Sequence, residues 1–122
     1  MNFYSKSLPY TSLSEAGQRR GARKLVRQRV SIGTIEQAII QGHTIDVSAH
    51  GLSVLLPVAL AIGEHCAVHF DLQTDGESVR IAGVGKVVNC TCSGLNGFRI
   101  GMIFKAHDAA VQRILTHYVT TY

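Results

Sequence analysis

The 122-residue chain has no tryptophan, only two prolines and no long hydrophobic run. Its apolar runs, such as residues 54–56 and 58–62, are far shorter than the ~20 residues that a membrane-spanning helix needs. Charged residues make up only 16% of the chain and hydrophobic residues 46%, whereas disordered chains are rich in charge and poor in apolar residues. We therefore expect one soluble globular domain with a substantial core.

Cysteine is also sparse, and its placement argues against cross-links. Cys90 and Cys92 lie on one face of a predicted strand, where they cannot bond to each other comfortably, and Cys66 is distant in sequence. No CxxC pair is present, so a structural zinc site is not expected. The N-terminus lacks a cationic start followed by an apolar block and a small-residue cleavage site, so we expect no secretory signal. These features predict reduced thiols in a cytoplasmic protein.

Carboxylates are too few and too scattered to suggest an active site. Of eight acidic residues only Asp71, Asp75 and Glu77 cluster, in a predicted hairpin turn, and no nucleophile–base set is suggested by spacing. His65 and His69 fall in a strand-like stretch, where four residues separate them by ~13 Å, too far for one metal ion. We expect neither catalysis nor a metal or other cofactor.

The apolar pattern predicts a β-rich domain after a polar, flexible lead-in over residues 1–18. Strand-like alternation is present in six segments: Lys24 to about Ile35, Ala38–Ser48 with a break at Gln41-Gly42, Leu52–Leu56, His65–Leu72, Val79–Asn89 and Phe98–Phe104. Six short strands predict a closed antiparallel barrel over about residues 24–105.

The C-terminal segment has a different period. Apolar residues recur at three- and four-residue spacing at Val111, Ile114, Leu115, Tyr118 and Val119. This pattern predicts an amphipathic helix over about residues 107–120 that starts at His107 or Asp108. The predicted fold class is therefore all-β with one C-terminal helix.

Positive charge is concentrated near the start of the predicted barrel. Half of the twelve basic residues fall within eleven positions that hold no carboxylate: Arg19, Arg20, Arg23, Lys24, Arg27 and Arg29. Five of the six are arginines, whose planar fork binds phosphate in two places and stacks on a base. The alternative is a solvated basic arm with no specific partner.

A second constellation lies at the end of the second predicted strand. Thr44, Asp46 and Ser48 are expected on the outward face, opposite Ile45 and Val47.

Beyond it, Gly51 allows a close backbone approach or a turn with positive φ. A carboxylate matches the N1–H and N2–H₂ donors of guanine, whereas arginine matches its O6 and N7 acceptors. Taken alone, Asp46 and Ser48 could also form a local turn-capping pair.

Together these motifs resemble the PilZ domain family of bacterial cyclic di-GMP receptors. The RxxxR motif of that family occurs twice, at residues 19–23 and 23–27, and DxSxxG is matched by Asp46, Ser48 and Gly51. Residues 82–88 look like the family's late strand, and residues 97–104 look like its strand with a G-x-x-F ending. The likeness covers about residues 18–120, so it implies a PilZ domain over residues 19–122.

The resemblance implies a six-stranded PilZ-type barrel and a dinucleotide site. If Arg19 and Arg23 form the RxxxR pair, the second arginine lies 23 residues before Asp46, whereas with Arg23 and Arg27 it lies only 19 before it. The spacing in the family favours the first of these registers. The implied ligand-binding residues are Arg19, Arg20, Arg23, Asp46, Ser48 and Gly51. By resemblance, an arginine arm over residues 19–29 folds over cyclic di-GMP.

One position departs from the family pattern. Asn89 stands where many members carry an aromatic residue or arginine near the ligand, which implies weaker binding or a different number of bound dinucleotides.

Three functions are compatible with these observations. The first is a cyclic di-GMP receptor that relays binding to an unidentified protein target. The second is a protein–protein adaptor with the same fold and a vestigial site. The third is nucleic-acid binding by the basic arm, which we do not expect because interleaved surface aromatics are lacking.

Overall fold

The structure is a computed structural model that describes residues 22–107 and 109–121. That part of the chain contains seven strands and one α-helix, here called α1. The elements are β1 (Arg23–Leu25), β2 (Arg29–Gly33), β3 (Ile39–Ser48), β4 (Gly51–Leu56), β5 (His65–Thr74), β6 (Glu77–Cys92), a short 3₁₀ turn (Gly94–Asn96), β7 (Phe98–Ala106) and α1 (Ala109–Thr121). The predicted lead-in over residues 1–18 lies outside the described residues.

Six of the strands close into an antiparallel barrel. Its order is β2-β5-β6-β7-β4-β3, and β3 pairs again with β2 to complete the ring. Closure satisfies the strand edges that would otherwise be exposed. The predicted fold, an antiparallel six-stranded barrel with one C-terminal helix, is confirmed.

The predicted continuous strand from Lys24 to Ile35 is wrong, because it is divided into β1 and β2. Both pieces run along the same side of β3, where Arg23 pairs with Ser48 and Arg29 pairs with His43. Between them, the Thr44 hydroxyl accepts a hydrogen bond from the Gln28 amide at 2.9 Å and donates one to a backbone carbonyl of the same connection. The connection also keeps two backbone hydrogen bonds to β3, from Val26 N–H to the Ile45 carbonyl and from Thr44 N–H to the Gln28 carbonyl, so the Thr44 hydroxyl is inserted into an irregular part of the ladder.

The predicted break at Gln41-Gly42 is also wrong, since β3 runs through it without interruption. A Cβ at Gly42 would lie only 2.3 Å from the carbonyl oxygen of Leu55. This glycine is needed for a close approach of β3 to β4, not for a turn.

A bulge in β3 changes the expected facing of its side chains. The register shifts between Thr44, which pairs with buried Val54, and Asp46, which pairs with Ser53. Thr44 therefore does not share the outward face of Asp46, contrary to strict alternation. The extra residue at the bulge resets the period of two.

The core fills the barrel and extends under α1. Fully buried side chains from the strands include Val30, Ile32, Val54, Val68 and Ile81. From α1, Val111, Leu115 and Val119 complete the same cluster.

The helix is thus an amphipathic cap, as its spacing predicted, with described bounds of Ala109–Thr121. The predicted start at Asp108 lies outside the described residues. Within the described ranges, no helix has the length and apolar character to span a membrane.

Candidate functional site

Asp46 lies on the outer wall of the barrel with an arginine at each carboxylate oxygen. Nη2 of Arg23 donates to Oδ1 at 2.8 Å, and Nη2 of Arg99 lies 3.5 Å from Oδ2. The residue is only 7% exposed. A nearly buried carboxylate must be paired or hydrogen-bonded to remain charged, and both partners here are cations.

Arg23 is held by strand pairing and by its ion pair with Asp46, while much of its side chain is exposed. Arg23 begins β1, where Lys24 and Leu25 pair with Val47 and Asp46 of β3. Its Nη2 also lies 3.5 Å from Ser53 Oγ, while its side chain remains 44% exposed. A guanidinium has five N–H donors, so Arg23 keeps donors for a ligand while Asp46 fixes its direction.

Ser48 organises the turn between β3 and β4. Its hydroxyl accepts hydrogen bonds from the backbone amides of His50, at 3.2 Å, and Gly51, at 3.1 Å. It also donates to the Gly51 carbonyl at 3.3 Å. The turn-capping role considered for the pair is therefore performed by Ser48 alone, whereas Asp46 binds arginines.

Gly51 brings two strands unusually close. A Cβ at this position would lie 2.2 Å from the carbonyl oxygen of Met102 in β7. Gly51 pairs with Ile103, and the same β4–β7 ladder pairs Leu55 with Arg99. The glycine of the motif thus helps to hold β7, which carries Arg99, against β4, whose other neighbour β3 carries Asp46.

Two of the six sequence-predicted site residues, Arg19 and Arg20, lie outside the described residues. The structure brings Arg23 and Asp46 into contact and places Ser48 and Gly51 in the adjoining turn. Arg27, the alternative motif member, is exposed in the connection between β1 and β2, and within the described part of the chain it forms no ion pair.

Sequence reasoning missed Arg99. Its contact with Asp46 depends on the pairing of β7 with β4, and no local pattern around residue 99 reveals that pairing. The only available signal was its place in the strand that resembles the family's G-x-x-F segment.

Asn89 belongs to the same outer surface. It pairs with Gly101, which pairs with Ser53, the partner of Asp46 across β3 and β4. The Asn89 Oδ1 atom accepts a hydrogen bond from the Gly101 amide at 3.1 Å. Beside the two arginines, the surface thus presents a polar amide at the position where the resemblance implies an aromatic residue or arginine in many members.

Metal binding finds no support in the described ranges. Among residues 22–107 and 109–121, no group of three or more His, Cys, Asp or Glu side chains is placed to hold a metal ion. The three cysteines are free thiols, and burial, followed by the charge of Glu64, raises the pKa of the Cys66 thiol.

Comparison with known proteins gives one family and several structural likenesses. A family model described as the PilZ domain matches residues 17–121. The inhibitor of motility MotI/DgrA from Bacillus subtilis has a similar structure, with a TM-score of 0.72 and 19% identity over 84% of this chain. The chain spans only 49% of that protein's structure.

Two further structures are similar over most of their length. The PilZ domain of YcgR from Escherichia coli, solved with c-di-GMP, has a TM-score of 0.63 and 16% identity, covering 85% of this chain and 90% of that one. The PilZ domain of CeSA from a cellulose synthesizing bacterium has a TM-score of 0.52 and 19% identity, covering 80% and 94%. No curated protein matches the chain. At these identities the structural likenesses show the fold.

Proposed function

Since this chain belongs to the PilZ domain family, matched over residues 17–121, we propose that it is a cyclic di-GMP receptor that relays binding to a protein partner. The observation that carries the proposal is the carboxylate of Asp46 with Arg23 and Arg99 on its two oxygens. This arrangement presents fixed arginine donors on an outer wall, next to the arginine-rich segment.

The chemistry of the site suits a guanine base with phosphates. The free N–H groups of Arg23 match the O6 and N7 acceptors of guanine. Oδ2 of Asp46, only loosely contacted by Arg99 at 3.5 Å, is the oxygen that accepts the N1–H and N2–H₂ donors. Ser48 and Gly51 support this surface through the turn that they build.

In the proposed complex, Arg19 and Arg20 close over the ligand and neutralise its phosphates. Ordering chain segments costs about 1–2 kcal/mol per residue, so the charge-assisted contacts must offset that cost. Binding then changes the surface charge around Asp46, which a protein partner can recognise. The proposed receptor has no catalytic role, and its three free thiols support a cytoplasmic location.

A second candidate is a protein–protein adaptor that binds no dinucleotide. It is favoured by one feature of the site: both Asp46 oxygens already contact arginines of the same chain. The site is therefore electrostatically satisfied without a ligand, and its ion pairs could serve the fold alone.

Isothermal titration of the purified 122-residue chain with cyclic di-GMP separates the two candidates. Cyclic di-AMP, which lacks the guanine edge, and GTP, which lacks the cyclic backbone, are the controls. Saturable binding of cyclic di-GMP alone supports the receptor, and Asp46→Ala should weaken it at least tenfold, about 1.4 kcal/mol or more. Absence of heat and of thermal stabilisation would favour the adaptor.

A further inference from the structure

A cavity opens on the outer wall of the barrel beyond the proposed dinucleotide residues. The β3–β4 ladder ends at the His43–Leu55 pair, and the cavity lies beside that end. The cavity has a volume of about 480 Å³. It is lined by Arg29, Gln41, Gly42, His43, Leu55, Leu56, Pro57 and Asn96.

The lining combines hydrogen-bond donors with an apolar floor. Arg29 and His43 supply a guanidinium and an imidazole, and no carboxylate lines the cavity. Oε1 of Gln41 accepts a hydrogen bond from Ser31 Oγ at 3.2 Å, which leaves its amide N–H₂ as a donor. A site with donors and no acidic group selects a ligand rich in acceptors, such as a phosphate.

The floor suits a flat ring. Leu55, Leu56 and Pro57 provide adjoining apolar surface, and the Asn96 amide stands at the rim. Small-molecule sites commonly have volumes of about 300–1,000 Å³ and join an apolar lining to a few convergent polar groups. The cavity meets both criteria for one nucleotide unit.

Arg99 connects this cavity to the proposed site. His43 pairs with Leu55, and Leu55 pairs with Arg99, so these three side chains form a row across the outer face. The guanidinium of Arg99 reaches the Asp46 carboxylate. Along β3, His43 and Asp46 are three residues apart, roughly 10 Å at the usual strand rise.

We propose that this cavity binds a guanylate unit, with its base against Leu55 and Pro57 and its phosphate facing Arg29 and Gln41. The inference rests on the proposed receptor function and extends the ligand's contacts past the family motifs. The unit is either the far half of the dinucleotide bound at Arg23 and Asp46 or part of a second cyclic di-GMP molecule. Both sources present the same chemistry to the cavity.

Titrations of two cavity variants with cyclic di-GMP test the inference. Arg29→Ala removes the cation, and Gln41→Glu replaces a donor with a nearly isosteric negative charge. Arg113→Ala on α1 is the control, because it removes one exposed positive charge from a residue that neither lines the cavity nor contacts Asp46. Thermal melting of each variant checks that the barrel is intact.

The two sources of the guanylate unit give different results, and each result supports ligand binding in the cavity. With one bound molecule, Arg29→Ala lowers the affinity about tenfold and Gln41→Glu lowers it further, at unchanged stoichiometry. With two bound molecules, the wild type shows two binding events and the cavity variants show one. Arg113→Ala matches the wild type in both cases.

Side-chain amide signals in ¹⁵N NMR spectra provide a direct second measurement. On ligand addition, the Gln41 and Asn96 amides should shift, while the amide of Gln73 on β5 should not. If the cavity variants bind with wild-type affinity and stoichiometry, and the Gln41 and Asn96 amide signals do not move, the cavity inference is overturned. The receptor proposal then still stands. A wild-type chain that binds no cyclic di-GMP overturns the receptor proposal and the cavity inference with it.

Discussion

Nη2 of Arg99 in β7 lies 3.5 Å from Oδ2 of Asp46, whereas Nη2 of Arg23 contacts the other carboxylate oxygen, Oδ1, at 2.8 Å. The two arginines come from opposite ends of the described barrel sequence and meet at one acidic group. If a ligand draws Arg23 away, Arg99 still compensates the nearly buried charge. The cost of leaving that carboxylate unpaired, which can be several kcal/mol, is thereby reduced.

Replacement of Arg99 by alanine should therefore weaken cyclic di-GMP binding. The ion pair is long and half-exposed, so we expect an effect of about 1 kcal/mol, roughly fivefold in affinity. Isothermal titration of Arg99→Ala against Lys105→Ala, an exposed cation on the same strand, measures the difference. Equal losses in the two variants would mean that only the overall charge matters.

Arg23→Ala should be far more damaging than Arg27→Ala. Arg23 is fixed by Asp46 at 2.8 Å with donors to spare, whereas Arg27 lies exposed in the connection between β1 and β2. We expect at least a tenfold loss of cyclic di-GMP affinity, about 1.4 kcal/mol, for the first variant and little change for the second.

The same titration decides the motif register. A comparable loss in Arg27→Ala would indicate that the pair is Arg23 with Arg27 instead of Arg19 with Arg23. Circular dichroism of both variants checks that neither loss comes from unfolding.

The strands that carry the site were predictable wherever alternation is regular. Leu52, Val54 and Leu56 were expected to face inward, and all three are buried. Local pattern failed where a side chain or a close approach replaces the ladder. The Thr44 hydroxyl bonds to the connection that separates β1 from β2, and Gly42 continues a strand in which glycine suggested a break.

For the site as well, residues close together in sequence could be predicted, whereas contacts between distant strands could not. The spacing of Asp46, Ser48 and Gly51 along one segment could be recognised from the sequence. The position of Arg99 could not, because it depends on which distant strand pairs with β4. The bulge beside Asp46 was likewise invisible, since it becomes apparent only in the register of two paired strands.

Gly51→Ala should destabilise the barrel, whereas Gly33→Ala should not. An added Cβ at Gly51 would lie 2.2 Å from the Met102 carbonyl oxygen, but at Gly33 its nearest neighbour is the Ala67 Cβ at 3.5 Å. Overpacking of this kind costs about 1–3 kcal/mol, and here the obstacle is backbone. Urea unfolding of the two variants compares them within one fold. Equal midpoints for Gly51→Ala and the wild type would show that β4 and β7 separate without cost.

The buried thiol of Cys66 should make stability fall at alkaline pH. Burial, and secondarily the charge of Glu64, raises the pKa of this thiol in the folded chain, while unfolded cysteine has a pKa of about 8.5. Below the unfolded pKa both states are protonated and the contribution is fully present. As the pH rises, the unfolded state loses its proton first, so the free energy of unfolding declines until the folded pKa is passed.

Urea unfolding between about pH 7 and 11 measures this contribution when the wild type is compared with Cys66→Ala. Tyrosine and lysine titrate in both proteins, so their effects cancel in the difference. We expect the wild type to lose more stability than Cys66→Ala as the pH rises. Cys92→Ala, which removes an exposed thiol from β6, should follow the wild-type curve. Parallel curves for wild type and Cys66→Ala would show that the Cys66 thiolate forms as readily in the folded chain as in the unfolded one.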